Sequence, residues 1–108
     1  MERRLAAILV ADVVGFSRLM EADEAGTLAA LRERRILILE PVVKEHRGRI
    51  VKLMGDGALI EHASAVNAVA AAIELQKRMA AANEGVAEER RIVLRIGINL
   101  GDVIGEGS

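Results

Sequence analysis

The stretch Arg49-Ile-Val-Lys-Leu-Met-Gly55-Asp56-Gly57-Ala-Leu-Ile-Glu-His62 decides the fold. Two short runs of strand-forming residues, Arg49–Met54 and Ala58–His62, flank a Gly-Asp-Gly turn, which is a hairpin signal. The regions before and after it show no internal repeat. Upstream, Leu5-Ala-Ala-Ile-Leu-Val-Ala11 reads as a strand buried on both faces, ending at Asp12. Gly15 marks a turn. A helix is expected from about Asp23 to His46, with Leu28, Leu31, Arg35, Leu39 and Val42 at helical spacing. Pro41 is expected to kink or break that helix, and Gly48 to stop it. Downstream, Ser64 is a natural N-cap. Ala65–Ala82 reads as a second helix, with Val66, Val69, Ile73 and Ala80 on its apolar stripe. Arg91–Leu100 alternates as a strand, and Val103-Ile104 is expected to begin one more.

The order is therefore β-α-β-β-α-β, an α+β ferredoxin-like sandwich with two helices on one face of an antiparallel sheet. Strands one and three are expected in the middle. A chain of 108 residues holds one domain. Its 52% hydrophobic content excludes a disordered segment. With 15 basic and 16 acidic residues no polyanion-binding surface is implied. The strands lack the aromatics that RNA-binding domains of the same element order use for stacking, so no nucleic-acid partner is expected. The absence of cysteine excludes disulfides, zinc-thiolate sites and a thiol nucleophile. The run Leu5–Ala11 is too short to span a membrane, so no membrane segment is expected and the cytoplasm is the default location.

Two carboxylates stand out. Asp12 ends strand one and Asp56 precedes strand three, so antiparallel pairing of those strands brings them together across 44 residues of sequence. Close carboxylates repel unless a cation lies between them, and hard oxygen ligands suit Mg²⁺ or Mn²⁺. The turn Val13-Val14-Gly15-Phe16-Ser17 offers backbone N–H groups to phosphate. Each feature also has a purely structural use: Asp at a strand end forms turns or caps, and Gly-Asp-Gly makes tight hairpins. Ile50, Lys52 and Met54 are expected on one face of strand two, with Val51 and Leu53 on the other. On the open face Lys52 can donate to a base edge. From pattern alone, a solvated lysine guarding an edge strand is the simpler reading.

Three segments together resemble the class III adenylate and guanylate cyclase catalytic domain of bacterial type. They are Leu9-Val-Ala-Asp12-Val-Val-Gly15-Phe16-Ser17, Val51-Lys52-Leu-Met-Gly55-Asp56-Gly57 and Arg95-Ile-Gly97-Ile-Asn99-Leu-Gly101. The resemblance implies conversion of ATP to 3′,5′-cyclic AMP and pyrophosphate with two divalent cations, Mg²⁺ or Mn²⁺. It implies metal ligands at Asp12, Asp56 and the Val13 carbonyl, and triphosphate contacts at Gly15, Phe16, Ser17 and Gly55. For Phe16, packing beneath the turn is the favoured alternative. Lys52 matches the family's base-selecting residue, and lysine suits the bare N1 of adenine. The resemblance further implies a site shared between two domains, in a homodimer or with a second cyclase domain. Residues 1–108 match only the N-terminal portion of the family's longer domain; the later Asn-x-x-x-Arg helix has no counterpart here. Such a piece alone is expected to be weak or inactive, and a non-catalytic dimerisation or nucleotide-binding module is the alternative. His62 stands where relatives are expected to carry an aromatic, and reads as a packing variant rather than a ligand.

Overall fold

The computed structural model describes residues 2–105; Met1, Glu106, Gly107 and Ser108 at the ends of the chain lie outside the described residues. Four strands, β1 (Glu2–Val13), β2 (Gly48–Met54), β3 (Gly57–His62) and β4 (Leu94–Gly105), form one sheet in the order β2-β3-β1-β4. All three pairings are antiparallel. β1 is central, as its apolar sequence requires. Ala7, Leu9, Ala11 and Val13 point alternately to one face and are each at most 4% exposed. The helices pack on that face: α1 (Phe16–Ala22), α2 (Glu24–Arg34) and α3 (Glu40–Glu45) between β1 and β2, and α4 (Ala65–Ala82) between β3 and β4. Ile38, Val42, Val43, Leu75 and Met79 close the core against Leu9 and Ile60.

Several local expectations are corrected. The first crossover begins with a helix, α1, so Phe16 and Ser17 are helical rather than part of a turn. α1 meets α2 at Asp23, whose side chain accepts from the Gly26 N–H at 3.0 Å. Arg90 locks this corner from outside, donating to the Leu19 carbonyl and to Thr27 Oγ1 at 3.3 and 2.9 Å. Pro41 does not break the helix. Residues Arg35–Leu39 widen instead, with the Glu40 N–H reaching back to the Arg35 carbonyl. A widened turn accommodates the proline ring and its missing N–H without ending the segment. Gly48 is not the stop either: Arg47 takes the left-handed conformation, φ 53°, and Gly48 is the first residue of β2. A Cβ at Gly48 would lie 2.6 Å from the buried His62 ring, whose Nδ1 is 2.9 Å from the His46 carbonyl. His62 is thus a packing residue.

The apolar stripe of α4 lies on the other side from the one expected. Ala68, Ala71, Leu75 and Met79 face the sheet, whereas Val66, Val69 and Ile73 are exposed. Alanine lets the helix approach the strands closely, a gain that side-chain hydrophobicity alone does not register. β4 starts at Leu94, and Val103-Ile104 continue that same strand. On β2 a bulge at Val51 breaks strict alternation: Ile50 pairs with Ile60 and Lys52 with Leu59. Ile50 therefore faces the helices and Lys52 the open face, so the two do not share a side. Among the described residues, no helix is long and apolar enough to cross a membrane.

Candidate active site

The β1–β3 pairing ends at Ala11↔Ala58. The next residue along β1 is Asp12; the two before Ala58 on the other side are Gly57, which begins β3, and Asp56. Gly55, at φ 56°, turns the chain in a conformation that L side chains resist. Gly57 permits the approach: a Cβ there would sit 3.1 Å from the Ala11 carbonyl oxygen and 3.8 Å from Asp12 Cβ. The turn thus delivers Asp56 to the end of β1, where its Oδ2 accepts the Val13 N–H at 3.0 Å. Asp56 is thereby set against Val13, the residue that follows Asp12.

Asp12 lies on the open face of the sheet, directly opposite Arg95 in the β1–β4 register. Arg95 Nη2 donates to Asp12 Oδ2 at 3.1 Å. The other oxygen, Oδ1, is buried without a hydrogen-bond partner. An orphaned buried carboxylate oxygen is costly, and a bound cation is one way to satisfy it. Among the described residues there is no cluster of three or more acidic, His or Cys side chains suited to a metal. The donors present are two carboxylates and backbone carbonyls. That oxygen set fits Mg²⁺ or Mn²⁺, which keep water and phosphate oxygens as further ligands.

Beyond Asp12 the chain turns through Val14 and Gly15, the latter at φ 66°, into α1. Phe16 packs at the edge of the core, as the packing alternative requires. Ser17 is exposed. The Arg18 guanidinium folds over the turn, 3.1 Å from where a Gly15 Cβ would stand. Arg95 thus sets one cation on Asp12, and Arg18 sets another over the Gly15 turn. Neither was singled out from sequence, because each becomes a neighbour only once the turn and the strand register are set.

Lys52 is exposed on the open face. It shares a row with Leu59, Val10 and Gly97 on successive strands. β2 and β1 are two strands apart, so about 10 Å of sheet separates Lys52 from the β1 side of the site. The structure does not bring Lys52 to Asp12 of its own chain.

Residues 2–107 match the family described as the adenylate and guanylate cyclase catalytic domain. A protein of Rhizobium meliloti (strain 1021) named "Putative adenylate cyclase 3" is 58% identical over 106 residues, which are 98% of this chain and 18% of that protein. The adenylate/guanylate cyclase/hydrolase from Silicibacter pomeroyi, a solved structure, superposes with a TM-score of 0.88 at 42% identity over 98% of this chain and 62% of that one. The guanylyl cyclase Cya2 superposes with a TM-score of 0.79 at 25% identity, covering 99% of this chain and 61% of that one. The chain therefore spans under a fifth of this curated relative and about three fifths of these solved chains.

Proposed function

The chain belongs to the adenylate and guanylate cyclase catalytic domain family, and from that premise we propose that it forms the metal and triphosphate end of an adenylate cyclase site. The reaction is closure of ATP to 3′,5′-cyclic AMP with release of pyrophosphate. The observation that carries the reading is the Asp56–Val13 hydrogen bond beside Asp12, whose Oδ1 has no partner. Asp12, Asp56 and the Val13 carbonyl would hold two divalent cations. When bound, these would supply Lewis-acid charge to the 3′-hydroxyl oxygen and the triphosphate.

The remaining roles belong to the chain's own groups. Gly55 and Gly57 keep Asp56 at the end of β1. Gly15, Phe16 and Ser17 begin α1, and the first N–H groups of a helix have no acceptor within it, leaving them for phosphate oxygens. The Arg95 guanidinium, paired with Asp12 here, is near enough to turn to phosphate once a cation takes its place. Lys52 donates to N1 of adenine; guanine carries a proton at that position and would reject it. Lys52 is two strands from Asp12, which favours a site completed by a second copy or a second cyclase domain across the open face. That face carries Ile8, Val10 and Leu59 between the charged ends.

The test is cyclic AMP formation from Mn²⁺–ATP by the purified chain, beside Asp12→Ala and Lys52→Ala. Slow product formation that disappears with Asp12→Ala is expected. Mixing the two variants should recover about a quarter of the wild-type rate, since a twofold dimer then contains intact composite sites. Product indifferent to Asp12 would overturn the catalytic reading; none from a folded wild type would leave a piece of a longer domain or a binding module as the better description.

A further inference from the structure

The chain leaves the metal end of β1 through Val14 and Gly15 into α1, a helix of seven residues. A helix so short is marginal by itself, so tertiary contacts must hold it in place. Among the described residues of α1 only Leu19 is buried, at 1% exposure. Its N–H donates back to the Gly15 carbonyl at 3.1 Å, which closes the first turn. Its carbonyl accepts from the Asp23 N–H at 3.0 Å, from Thr27 Oγ1 at 2.9 Å and from Arg90 Nη1 at 3.3 Å. Arg90 Nη2 donates to Thr27 Oγ1 as well, at 2.9 Å, and Thr27 is 1% exposed. The Thr27 hydroxyl is thus buried with both its donor and an acceptor position filled. Arg90 comes from 71 residues further along the chain, at the end of the short turn Glu88–Arg90. That turn does not need the guanidinium, because the Arg90 N–H closes it on the Ala87 carbonyl at 2.8 Å. Three residues on, the Val93 carbonyl accepts the Val14 N–H at 2.9 Å. The segment Arg90–Val93 therefore fastens both ends of the stretch Val14–Leu19.

We propose that Arg90 is a positioning residue for the nucleotide triphosphate, setting the turn Val14-Gly15-Phe16-Ser17 through the Leu19 carbonyl and Thr27 rather than by touching phosphate. The inference deepens the proposed function and rests on its triphosphate contacts. The guanidinium is engaged at the Leu19 carbonyl, a full helical turn of about 5.4 Å or more beyond Gly15. Its forked donors reach two acceptors at once, which fixes a direction as well as a distance. The cation ligands do not depend on it. Asp12 sits in the β1–β4 ladder opposite Arg95, and Asp56 is held by the Val13 N–H. Arg90 therefore bears on nucleotide binding and leaves the bare metal site alone. The network lies between elements that this chain itself supplies.

The test compares the full chain as wild type, Arg90→Gln, Arg90→Lys and Thr27→Val, each checked for folding by far-UV circular dichroism. Two titrations are run, Mn²⁺ alone and a non-hydrolysable ATP analogue in excess Mn²⁺. Amide hydrogen exchange at Leu19 and Asp23 is followed without nucleotide. In Arg90→Gln both amides should exchange faster. Analogue affinity should fall about tenfold, the result when only a tenth of the molecules hold the turn in its binding position. Mn²⁺ alone should bind as in wild type. Arg90→Lys should recover part of the loss, since it keeps the charge and one donor without the fork. Thr27→Val should weaken the analogue in the same way and add little when combined with Arg90→Gln, as members of one network do. Analogue affinity unchanged in Arg90→Gln, or equal losses with and without nucleotide, would overturn the proposal; an arginine that only stabilises the fold gives one or the other. A wild type that binds no analogue would remove the catalytic reading and this proposal with it, so wild type and variants tell the two failures apart.

Discussion

Asn83 ends α4 and is 7% exposed. Its Oδ1 accepts from the Ile92 N–H at 3.2 Å and from Arg34 Nη2 at 3.0 Å, while its Nδ2 donates to the Ile92 carbonyl at 2.9 Å. One side chain thus occupies both backbone groups of the residue that leads into β4. Asn83→Ala would strand both inside the protein. Arg34 would keep the Ala82 carbonyl at 3.3 Å, so its share of the loss is small. A net hydrogen bond is worth about 1 kcal/mol and an unsatisfied buried group costs about 1–3 kcal/mol, so the two Ile92 groups together give a destabilisation of about 3 kcal/mol. For a domain of this size that lowers Tm by about 12–24 °C. Urea unfolding followed by far-UV circular dichroism reads the change directly, as a lower midpoint with an unchanged slope. Asn83→Asp should be no rescue, because it sets a carboxylate oxygen against the Ile92 carbonyl. A loss under about 1 kcal/mol for Asn83→Ala would refute the assignment of Asn83 as the clamp on β4.

Two further outcomes follow from charge. Arg4 and Arg49 both reach the Glu61 carboxylate, which is 5% exposed. The Arg4 hydrogen bond above all, then Arg49, hold its carboxyl below the usual carboxylate range against the opposing effect of burial. A depressed folded pKa gives stability that is complete above about pH 4.3, the unfolded glutamate value, and is lost as pH falls through the folded value. Thermal melts of Glu61→Gln should accordingly lie below wild type at neutral pH and converge with it in acid. Arg95→Gln removes the exposed ion pair that competes for Asp12, worth about 0.2–1 kcal/mol. Mn²⁺ affinity without nucleotide should rise by up to about fivefold, measured by calorimetry.

The topology was legible because strand and helix periods differ and each boundary carried its own chemistry. Ser64 accepts from the Asn67 N–H at 3.1 Å, and α4 runs over the span that its N-cap and alanine-rich sequence suggested. The meeting of Asp12 and Asp56 was legible for a related reason: antiparallel adjacency of strands one and three dictates it without any side-chain detail. What escaped notice depended on three-dimensional register. The bulge at Val51 moves Ile50 off the face of Lys52, and nothing in the local alternation marks it. The seven-residue α1 has no side-chain cap at Gly15, so it read as a turn. The sheet-facing side of α4 was misassigned because its alanines serve close packing while its larger valines stay outside. Arg95 faces Asp12 only through a strand pairing that spans 83 residues of sequence.

The most direct test of the central claim is electron paramagnetic resonance of Mn²⁺ with a non-hydrolysable ATP analogue, for wild type, Asp12→Asn and Asp56→Asn. Mn²⁺ is expected to bind the wild type in the presence of the analogue. Affinity should fall at least about tenfold in each variant, as expected when a charged ligand to a hard cation is neutralised. Equal Mn²⁺ binding in wild type and either variant would contradict it, and would return that carboxylate to a turn-forming role.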